Sequence, residues 1–501
     1  MLEENSIYTI NPAYKFKNDI KRVVVTNNNS IFCDAADDSG EYTTSFAVVM
    51  HPYMAYIFSM FDGSKTIKDT LLCISNLLGI GYEETKETIS QFVYNKEEII
   101  YKITDEIYAP IPKNFIIKAE CSVVRNLLEG IDLDEMIKNG VDIKTFRYYT
   151  PNEVYFMVNN KCVVNCEYCY ADKTHKVTNP LDFDRVKELV VEAKKIGCRD
   201  FIIGGGEFFL YDKWSELIDI LNENEFAPFI STKFPISEDI IKKLKSKKIS
   251  RFQISIDTIN KDEMKIMLNT NDNYCDQILK TLDLLKKYNM PFRVKAVITK
   301  YNDSIESANE LIKYLLTFDN LEQLSLAPGE VSLYKPFTYR TTQSKLKELE
   351  NLVNEYHKKD KRVLMQSYMK DNRTSSYEEK LRAHNKRNSC SGNLLSCYIL
   401  PDGNVTVCEQ LYWIPFFNLG NVRKKTIMEV WSSKKALDLW NIPQNKIRKS
   451  SPCSACKTFD FCRRGQGSCW KMAVIAYGKE NPDFPYPLCP LAPPAYKDIY
   501  I

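Results

Sequence analysis

The chain has 501 residues, of which 44% are hydrophobic and 27% are charged, and its formal net charge is +3. This length predicts two to four domains, and the composition is that of a soluble globular protein. The near-neutral charge argues against bulk electrostatic binding to nucleic acid. The polar start MLEENSIYTI is no signal peptide, and no run of about 18 apolar residues predicts a membrane span. We therefore expect a cytoplasmic protein with no nucleic acid or membrane partner.

Residues 1–105 predict short strands, three helices and a closing strand, with FDGSK as a turn. The strand candidates are Ser6–Ile10, Lys21–Thr26, Phe46–Met50 and Glu98–Thr104, and the helix candidates are His51–Met60, Thr66–Leu78 and Tyr82–Val93. This order is plausible for a winged helix-turn-helix. DNA binding would need a basic third helix, whereas this one carries Glu83, Glu84 and Glu87 and only Lys86.

With FDGSKTIKDT between its helices, this segment resembles the leader-recognition domain of enzymes that modify ribosomally made peptides. The resemblance implies that the wing strand and the third helix bind an extended leader peptide by strand addition. The alternative is a structural cap or a dimerisation domain. Residues 106–150 predict a helical bridge, with Pro110 and Pro112 followed by helices near Val123–Leu128 and Leu133–Lys138.

From Val154 onward, strand and helix patterns alternate in six units, which predicts a parallel sheet with helices outside. The strand candidates are Val154–Val158, Asp200–Gly204, Phe226–Ser231, Arg251–Ile256, Phe292–Ile298 and Gln323–Ala327. Helix candidates between and after them are Phe183–Ile196, Trp214–Asn222, Glu238–Lys245, Tyr274–Lys287 and Ser304–Leu316.

The stretch NNKCVVNCEYCYAD, residues 159–172, follows the first of these strands and places Cys162, Cys166 and Cys169 at the spacing C-x3-C-x2-C. Three thiolates at this spacing can hold three irons of a [4Fe–4S] cluster. The remaining iron stays open for a small chelating molecule, as in catalytic metal sites. A zinc site or three unrelated buried thiols are the alternatives, although zinc sites prefer paired C-x2-C motifs.

This motif, with Tyr168 just before the third cysteine, resembles the signature of radical S-adenosylmethionine (SAM) enzymes. The resemblance implies an α/β fold with a partial (β/α)6 barrel over residues 151–330 and the cluster at the carboxyl ends of its strands. It also implies that SAM binds the open iron. In the family, the reduced cluster cleaves SAM to methionine and a 5′-deoxyadenosyl radical, which abstracts a hydrogen atom.

Other strand ends carry the residues that the resemblance assigns to SAM. The glycines of Gly204–Glu207 permit close backbone approach, and Glu207 is implied to bind the SAM amino group, with Phe208 in place of the family's usual Pro. A tight turn with a solvated acid is the alternative. Ser255 is implied to bind polar groups of SAM, and Asp257 nearby is an N-cap candidate. The predicted SAM-binding residues are Tyr168, Gly205, Gly206, Glu207, Ser231, Ser255, Val297 and Thr299.

Residues 331–389 are highly charged and predict a linker with an amphipathic helix at Gln343–Lys359 and a polar loop at Lys370–Lys386. Sixteen cysteines without a secretion signal predict metal or redox chemistry rather than disulfides. Eleven of them fall at 162–169 and 390–489. The scattered ones are predicted to be small buried hydrophobic residues; they are Cys33, Cys73, Cys121, Cys198 and Cys275.

The second cysteine region supplies eight thiols, the number that saturates two [4Fe–4S] clusters. They are Cys390, Cys397, Cys408, Cys453, Cys456, Cys462, Cys469 and Cys489. Their spacing resembles the SPASM domain, which carries two auxiliary clusters, over residues 390–501. The family's crossed ligation implies Cys390, Cys397, Cys408 and Cys469 at the first auxiliary cluster and Cys453, Cys456, Cys462 and Cys489 at the second.

The chain departs from the SPASM pattern by having six residues, RRGQGS, rather than three between Cys462 and Cys469. Two structural zinc sites are the alternative, and in either case the cysteines tie together a loop-rich segment without a sizeable core. Asp402–Gly403 predicts a hairpin turn. Glu409, beside Cys408, is a candidate catalytic acid–base residue, and an exposed salt-bridge partner is its alternative.

Together these features predict a radical SAM/SPASM oxidoreductase that installs thioether crosslinks in a ribosomally made precursor peptide. Its expected cofactors are SAM and three [4Fe–4S] clusters, one that binds SAM and two auxiliary ones that serve as an electron exit. Its expected partners are a leader-bearing peptide and a flavodoxin- or ferredoxin-type electron donor. The alternatives are carbon–carbon crosslinking, epimerisation, sulfatase-type Ser or Cys oxidation, and a non-catalytic zinc-dependent peptide adaptor.

Overall fold

The computed structural model describes residues 2–27, 47–102, 108–119, 124–249, 251–366, 375–387, 390–496 and 499. The chain divides into two compact units, Met1–Thr150 and Pro151–Ile501. None of the helices in these described ranges is long and apolar enough to cross a membrane.

The described residues of the first unit form three small antiparallel sheets, with orders β5-β1-β8, β2-β3-β4 and β6-β7. The strands are β1 (Ile7–Ile10), β2 (Tyr14–Asn18), β3 (Val23–Asn27), β4 (Ala47–Met50), β5 (Asp62–Thr66), β6 (Ile99–Lys102), β7 (Tyr108–Ile111) and β8 (Ile116–Lys118). The helices are α1 (Pro52–Ser59), α2 (Ile67–Leu78), α3 (Tyr82–Ser90) and α4 (Leu133–Lys138). Ile10, Phe58, Phe61 and Phe115 lie in their common core.

Two local predictions for this unit are wrong. The predicted FDGSK turn lies largely within β5, because pairing with β1 satisfies its backbone groups. No helix forms at residues 124–128, where a helix was predicted from Val123, itself outside the described residues. Instead the Arg125 N–H donates to the carbonyl of Asp62 at 2.9 Å, and its guanidinium donates to the carbonyl of Ile10 at 2.7 Å. Residue 46 and residues 103–104 of two predicted strands also lie outside the described residues.

The second unit alternates strands with helices. The strands are β9 (Glu153–Met157), β10 (Asp200–Gly204), β11 (Phe229–Thr232), β12 (Arg251–Ser255), β13 (Phe292–Ile298), β14 (Leu321–Pro328), β15 (Val363–Met365), β16 (Ser396–Ile399), β17 (Asn404–Thr406) and β18 (Gly420–Asn421). The helices are α5 (Phe183–Lys195), α6 (Trp214–Glu223), α7 (Glu238–Ser246), α8 (Lys261–Leu268), α9 (Asn273–Lys287), α10 (Ile305–Leu315), α11 (Gln343–Lys359), α12 (Tyr377–Asn385), α13 (Ile427–Trp431), α14 (Lys434–Trp440) and α15 (Trp470–Tyr477).

The six predicted β/α units are confirmed as β9 to β14. Their strands lie in two sheets, with orders β10-β9-β16-β17-β18 and β11-β12-β13-β14-β15, and all ladders among β9 to β14 are parallel. Buried Val154, Phe252, Phe292 and Leu324 belong to one core shared by these strands and the surrounding helices. Parallel strands present their carboxyl ends at one edge of a sheet, where loops carry chemistry.

The C-terminal region has more regular structure and more core than predicted. Strand β16 pairs in parallel with β9, with Cys397 opposite Val154, so this region extends the first sheet. Buried Phe417 and Trp431 join the same core. The predicted turn at Gly403 is confirmed: its φ is +83°, and β16 and β17 form an antiparallel pair around it.

The sequence analysis did not predict two further helices, α8 and α12. Helix α12 replaces part of the predicted polar loop, because Ser376 and Glu379 form a capping box that satisfies its first N–H groups; residues 370–374 of that loop lie outside the described residues. Helix α8 begins after Asn260, whose side chain caps it. Asp257, the predicted N-cap candidate, therefore has another role.

The scattered cysteines differ in environment. Cys198 and Cys275 are buried, as predicted, whereas Cys73 is exposed on α2, so the prediction for Cys73 is wrong. Its position falls on the outer face of an amphipathic helix, where a small side chain is tolerated without burial. Cys33 and Cys121 lie outside the described residues.

Candidate active site

The cysteine loop after β9 is held on two sides by backbone hydrogen bonds. On one side, Gly206 N–H donates to the Asn159 carbonyl at 2.7 Å, and Glu207 N–H donates to the Lys161 carbonyl at 2.6 Å. On the other, Asn165 N–H donates to the carbonyl of Leu268, the last residue of α8, at 2.9 Å. The loop is thereby fixed between the end of β10 and the end of α8.

The three glycines at the end of β10, Gly204, Gly205 and Gly206, are required by neighbouring protein groups. A Cβ on Gly206 would lie 1.9 Å from the Lys161 carbonyl oxygen, and a Cβ on Gly205, whose φ is +119°, would lie 2.4 Å from the Asn159 carbonyl oxygen. A Cβ on Gly204 would lie 1.7 Å from the hydroxyl of Tyr155. The close backbone approach that the sequence predicts is thus made first to the cysteine loop itself.

Cys166 is buried, and Cys162 and Cys169 are half-buried beside it. Burial raises the pKa of the Cys166 thiol to about 12. A thiol with this pKa is protonated at neutral pH, whereas a metal ligand must be a thiolate. Bound positive charge, such as iron, would stabilise the thiolate form of Cys166.

Glu207 lies beside this loop and is only 2% exposed. Its carboxylate accepts hydrogen bonds from the Thr232 hydroxyl at 2.6 Å, from the Lys233 N–H at 3.1 Å and from the Phe209 N–H at 3.3 Å. Burial raises the pKa of Glu207, and these three hydrogen bonds oppose the shift. A bound ammonium group would stabilise the charged form, so this carboxylate suits the amino group of SAM.

A buried network that the sequence analysis did not find lies between the cysteine loop and β12. The Tyr168 hydroxyl donates to the carboxylate of Asp257, which is 1% exposed as a side chain. The Lys233 ammonium lies 2.9 Å from the same carboxylate, and Val297 N–H donates to its other oxygen at 2.8 Å. The available signal was the position of Lys233, directly after β11, and of Asp257, two residues after the end of β12.

Lys233 also lies near the cysteine loop. Burial opposes its ionisation, but the charges of Asp257 and then Cys166 raise the pKa of Lys233, and Cys162 adds to the effect. Its ammonium group lies 5.6 Å from the centroid of the Tyr168 ring, within cation–π range. Lys233 is therefore a cation held next to two candidate cluster ligands.

The remaining predicted SAM-binding residues are divided between two environments. Ser255 lies at the end of β12, where its carbonyl accepts from Lys233 Nζ at 3.5 Å, and Val297 contacts Asp257 as described. Ser231 is exposed and accepts from Gln253 at 2.8 Å. Thr299 is buried and donates to Asn302 at 3.1 Å within a turn. Ser255 and Val297 thus lie nearest the Tyr168–Asp257–Lys233 network, and all four roles stay predictions.

Three thiols of the first predicted auxiliary site interact. Burial raises the pKa of Cys408, and the charges of Glu409, Cys469 and Cys390 raise it further. Cys397, the fourth predicted ligand, is 1% exposed within the core on β16. The assignment of these four cysteines to one auxiliary cluster stays a prediction.

The four thiols of the second predicted site interact with one another as well. Burial raises the pKa of Cys489 to about 11, and Cys453, Cys462 and Cys456 add to the shift. Several buried polar atoms in or near the cysteine segments have no hydrogen-bond partner within the described part of the chain, so they can bond to a cofactor held there. These atoms are His384 Nδ1, Arg463 Nη1, Arg464 Nε and Ser468 Oγ.

Glu409, the predicted catalytic residue, is half-buried beside Cys408 and hydrogen-bonds with Tyr155. Burial raises the pKa of Glu409, and the Tyr155 hydrogen bond opposes the shift. The Tyr155 ring occupies the space that the missing Cβ of Gly204 leaves open. Glu409 therefore contacts Tyr155 of β9, and its charge raises the pKa of Tyr170, which lies within the first cysteine loop.

These residues fit iron–sulfur clusters and SAM. Every cysteine within the described ranges is a free thiol. The same ranges contain no group of three His, Cys, Asp or Glu side chains close enough to share one metal ion. A [4Fe–4S] cluster does not need such a group, because each of its cysteine ligands binds a different iron. The partly buried thiols, the carboxylate of Glu207 and the unpartnered donors near Cys453 and Cys462 form the set that such cofactors require.

Two family models match the chain: the Radical SAM superfamily over residues 156–315, and SPASM, an iron–sulfur cluster-binding domain, over residues 390–457. An uncharacterized protein of Methanocaldococcus jannaschii is 26% identical over 54% of this chain and 87% of its own length. The tungsten-containing aldehyde ferredoxin oxidoreductase cofactor-modifying protein of Pyrococcus furiosus is 20% identical over 63% of this chain and 91% of its own.

Among solved structures, Streptococcus suis SuiB bound to S-adenosylmethionine matches with a TM-score of 0.62 and 15% identity, covering 96% of this chain and 99% of SuiB. SuiB bound to its precursor peptide SuiA matches with the same score and identity, covering 96% of this chain and 100% of SuiB. At this identity the likeness shows a common fold. It extends well beyond the two regions that the family models match.

Proposed function

The chain is a radical SAM enzyme with a SPASM domain, and we propose that it installs thioether crosslinks in a ribosomally made precursor peptide. Its cofactors are a [4Fe–4S] cluster, SAM and auxiliary iron–sulfur clusters. When bound, they supply a 5′-deoxyadenosyl radical that takes a hydrogen atom from the substrate, and they accept the electron released later.

We also propose the domain boundaries that the sequence predicts. They are a leader-recognition domain at residues 1–105, a helical bridge at 106–150, a radical SAM domain at 151–330, a linker at 331–389 and a SPASM domain at 390–501.

The observation that carries the proposal is the position of Glu409. This carboxylate follows Cys408 in sequence, is hydrogen-bonded by Tyr155 and acts electrostatically on Tyr170 of the first cysteine loop. Joining a cysteine sulfur to a carbon removes one hydrogen atom from the carbon, one proton from the thiol and one electron. The hydrogen atom goes to the radical, the proton to Glu409, and the electron to an auxiliary cluster, so the reaction balances.

The cysteine loop and its neighbours have the parts needed to hold SAM. Cys162, Cys166 and Cys169 are the proposed cluster ligands, which leaves one iron open for SAM. Glu207 is the proposed partner of the SAM ammonium group, and its three protein hydrogen bonds keep the carboxylate in one orientation. Tyr168 fixes the loop against β12 through Asp257.

The fold likeness to SuiB in complex with a precursor peptide supports a peptide substrate. This likeness covers 96% of the chain, so it extends over the first unit as well. We propose that this unit binds the leader by adding a strand to β6 beside α3. Within the described residues β6 pairs with β7 alone, so its other edge has no strand partner. Ile100 is 67% exposed on β6, as expected of an edge strand available for pairing.

The backbone of Ile100 has the orientation that strand addition needs. Ile100 lies opposite Pro110 in the β6–β7 pair. Proline has no N–H, so it cannot form the reciprocal bonds of a hydrogen-bonded pair. We infer that this is a non-hydrogen-bonded pair and that the Ile100 N–H points to the open edge of β6, where a leader strand would accept from it.

The test is anaerobic incubation of the reconstituted full-length chain with a candidate cysteine-rich precursor peptide, SAM and reductant, followed by tandem mass spectrometry. We expect loss of two hydrogens per linkage, mapped to one cysteine and one acceptor residue, and resistance of that cysteine to alkylation. A Cys162/Cys166/Cys169→Ala variant is the control without SAM cleavage. A two-hydrogen loss between two carbons, or inversion of a residue without mass change, would contradict thioether formation.

A further inference from the structure

The parallel sheet β11-β12-β13-β14-β15 has two unlike faces. Along β12, β13 and the second half of β14, alternate residues such as Ile254, Ala296 and Leu326 belong to the core that the sheet shares with its helices. Successive side chains of a strand point to opposite faces, so the residues between them lie on the other face. We call that surface the polar face, and its members are Gln253, Ser255, Arg293, Lys295, Val297, Gln323, Ser325 and Ala327.

The composition of the polar face is unusual for a parallel sheet. Strands of such sheets are normally apolar on both faces, because both are covered by packed layers. Here six of the eight side chains are polar or charged. Gln253, Ser255 and Lys295 are half-buried, whereas the residues that alternate with them are buried. The polar face is therefore suited to contact a polar ligand rather than another layer of the core.

Lys295 occupies a central position on this face. It pairs in register with Ser255 of β12 and with Ser325 of β14. Ser255 is a proposed SAM-binding residue, and its carbonyl accepts from Lys233 Nζ at 3.5 Å. Ser325 Oγ is buried and has no hydrogen-bond partner among the described residues. Lys295 thus lies next to the proposed SAM site, in a row of polar groups that do not satisfy one another.

The ammonium group of Lys295 has no ion pair or hydrogen bond within the described part of the chain. The other cation of the polar face, Arg293, differs in this respect, because its guanidinium pairs with Glu322 at 3.2 Å. A half-buried charge loses hydration, and a bound anion would offset that loss.

The nearest acids act on Lys295 only at longer range. Burial raises the pKa of Glu409, and the charge of Lys295 is one of the contributions that oppose this rise. Desolvation also opposes ionisation of Glu330, whereas the charges of Lys471 and Lys295 lower its pKa. Glu330 already has a cation of its own, since Lys471 Nζ lies 2.9 Å from its carboxylate. Lys295 is therefore a cation in electrostatic range of the proposed base Glu409.

We propose that Lys295 binds a carboxylate of the substrate peptide, so that the enzyme selects peptides with an aspartate or glutamate in the segment it modifies. The peptide substrate itself rests on the proposed function. An ammonium group and a carboxylate form a charge-assisted hydrogen bond, and aspartate and glutamate are the side chains of a peptide that are negatively charged at neutral pH. The carboxylate of SAM is a second source of the same chemistry, and the experiment separates the two.

The test uses leaderless peptides from the cysteine-rich segment of the candidate precursor, each made as a pair with glutamate or glutamine at one position. Fluorescence anisotropy measures their binding to the reconstituted full-length chain with SAM and without reductant, so that no bond forms. For at least one pair we expect the native chain to bind the glutamate peptide about 10-fold more tightly, the effect of one hydrogen bond to a charged group. Lys295→Met should bring this ratio to about one, and Lys295→Arg, which keeps the charge, should retain a preference.

The matched control is Arg293→Gln, which removes one charge from the same face of the same strand. Because Arg293 has Glu322 as its partner, this variant should keep the native ratio. The affinity for SAM is measured in all variants without peptide. It should stay unchanged in Lys295→Met. A loss of SAM affinity as large as the loss of glutamate-peptide affinity would assign Lys295 to the SAM carboxylate and overturn the inference.

Two further readings keep the test decisive. Lys295→Gln replaces the Met variant if that variant binds less iron, and a native ratio in it would overturn the inference. Equal affinity of the native chain for both members of every pair would do so without any variant, leaving Lys295 as a counterion of Glu330 and Glu409. No bond forms in this assay, so a carbon–carbon product in the activity assay would refute only thioether formation.

Discussion

The Tyr168 hydroxyl donates a hydrogen bond to the carboxylate of Asp257, across 89 residues of sequence. Tyr168 lies inside the cysteine motif, and Asp257 follows the fourth strand of the β/α series. Burial and the charge of Asp257 raise the pKa of Tyr168, so its hydroxyl keeps its proton and remains a donor. The hydrogen bond holds the cysteine loop, residues 159–172, against the end of β12, near the proposed SAM site.

Asp257→Asn should destabilise the second unit more than Tyr168→Phe does. Removing one partner of a buried ion pair costs about 3–5 kcal/mol, and Asn, which keeps one acceptor, should give the lower end, about 3 kcal/mol. Losing only the Tyr168 hydroxyl should cost about 1.5 kcal/mol. The difference arises because Asn leaves the Lys233 charge uncompensated.

Urea unfolding followed by tryptophan fluorescence measures both variants. The five tryptophans all lie in the second unit, so the signal reports on it alone; they are Trp214, Trp413, Trp431, Trp440 and Trp470. Equal losses of unfolding free energy in both variants would show that the Lys233–Asp257 pair contributes nothing beyond the tyrosine hydrogen bond.

Gly206→Ala should remove the first cluster while the auxiliary clusters remain. Its Cβ would lie 1.9 Å from the Lys161 carbonyl oxygen, so the loop that carries Cys162 must move. We expect iron content to fall from about twelve to about eight per chain, with loss of 5′-deoxyadenosine formation. The control is Gly81→Ala, where nothing lies within 4 Å of the new Cβ. It should keep full iron content.

Glu409→Gln should uncouple SAM cleavage from crosslinking. Loss of a positioned acid–base group slows the proton-transfer step by about 10²- to 10⁴-fold, so crosslinked product should fall by that factor. 5′-Deoxyadenosine should then form in excess over product. Tyr155→Phe, which keeps the carboxylate but removes its hydrogen-bond partner, should give a smaller loss. Both products are measured by liquid chromatography and mass spectrometry, and undiminished crosslinking in Glu409→Gln would exclude Glu409 as the base.

Ile100→Pro should weaken binding of the leader without slowing the modification of leaderless peptide. Proline removes the N–H that we infer points to the open edge of β6 and leaves the pairing partner Pro110 unchanged. Ile100→Ala retains the N–H and should bind nearly as the native chain does. Fluorescence anisotropy with labelled leader peptide measures the affinities. Equal affinity of the Pro variant would place the leader elsewhere.

Asp142→Asn should destabilise the first unit in a pH-dependent manner. Asp142 accepts from the Thr145 hydroxyl at 2.6 Å, from the Lys144 N–H at 2.9 Å and from the Tyr149 hydroxyl. Burial opposes ionisation, but these hydrogen bonds outweigh it and lower the pKa of Asp142 below 3.8. At neutral pH we expect a loss of about 1–2 kcal/mol, reduced by partial exposure.

The direction of the pH effect follows from the lowered pKa. The native state favours the carboxylate, so its contribution is complete above the ordinary pKa and is lost as pH falls through the lowered one. The difference between native chain and variant should therefore be constant from pH 7 to pH 5 and shrink below about pH 4. Hydrogen exchange of peptides covering residues 14–27 and 142–150 measures it at each pH. A difference that grows on acidification would contradict this assignment.

Local patterns predicted much of this fold. The alternation of strands and helices from Val154 appears as β9 to β14, and the bounds of β10, β13 and α11 are those predicted. Periodicity reports burial along one element, so it needs no knowledge of its neighbours. The failures at FDGSK and at 124–128 have one cause: both segments bond to strands distant in sequence, which local propensity does not register.

The sequence by itself determined the chemistry of this protein: three cysteines at C-x3-C-x2-C, eight more near the C-terminus, a Gly-rich turn ending in Glu207, and an acid beside Cys408. Spacing of ligands within a loop is a covalent property and can be read directly. Only the tertiary structure decided that Lys233 and Tyr168 share Asp257, that Tyr155 fills the space left by Gly204, and that Arg387 reaches Cys462 across 75 residues. Those pairings depend on strand order and loop packing, because groups remote in sequence meet only after the backbone has folded.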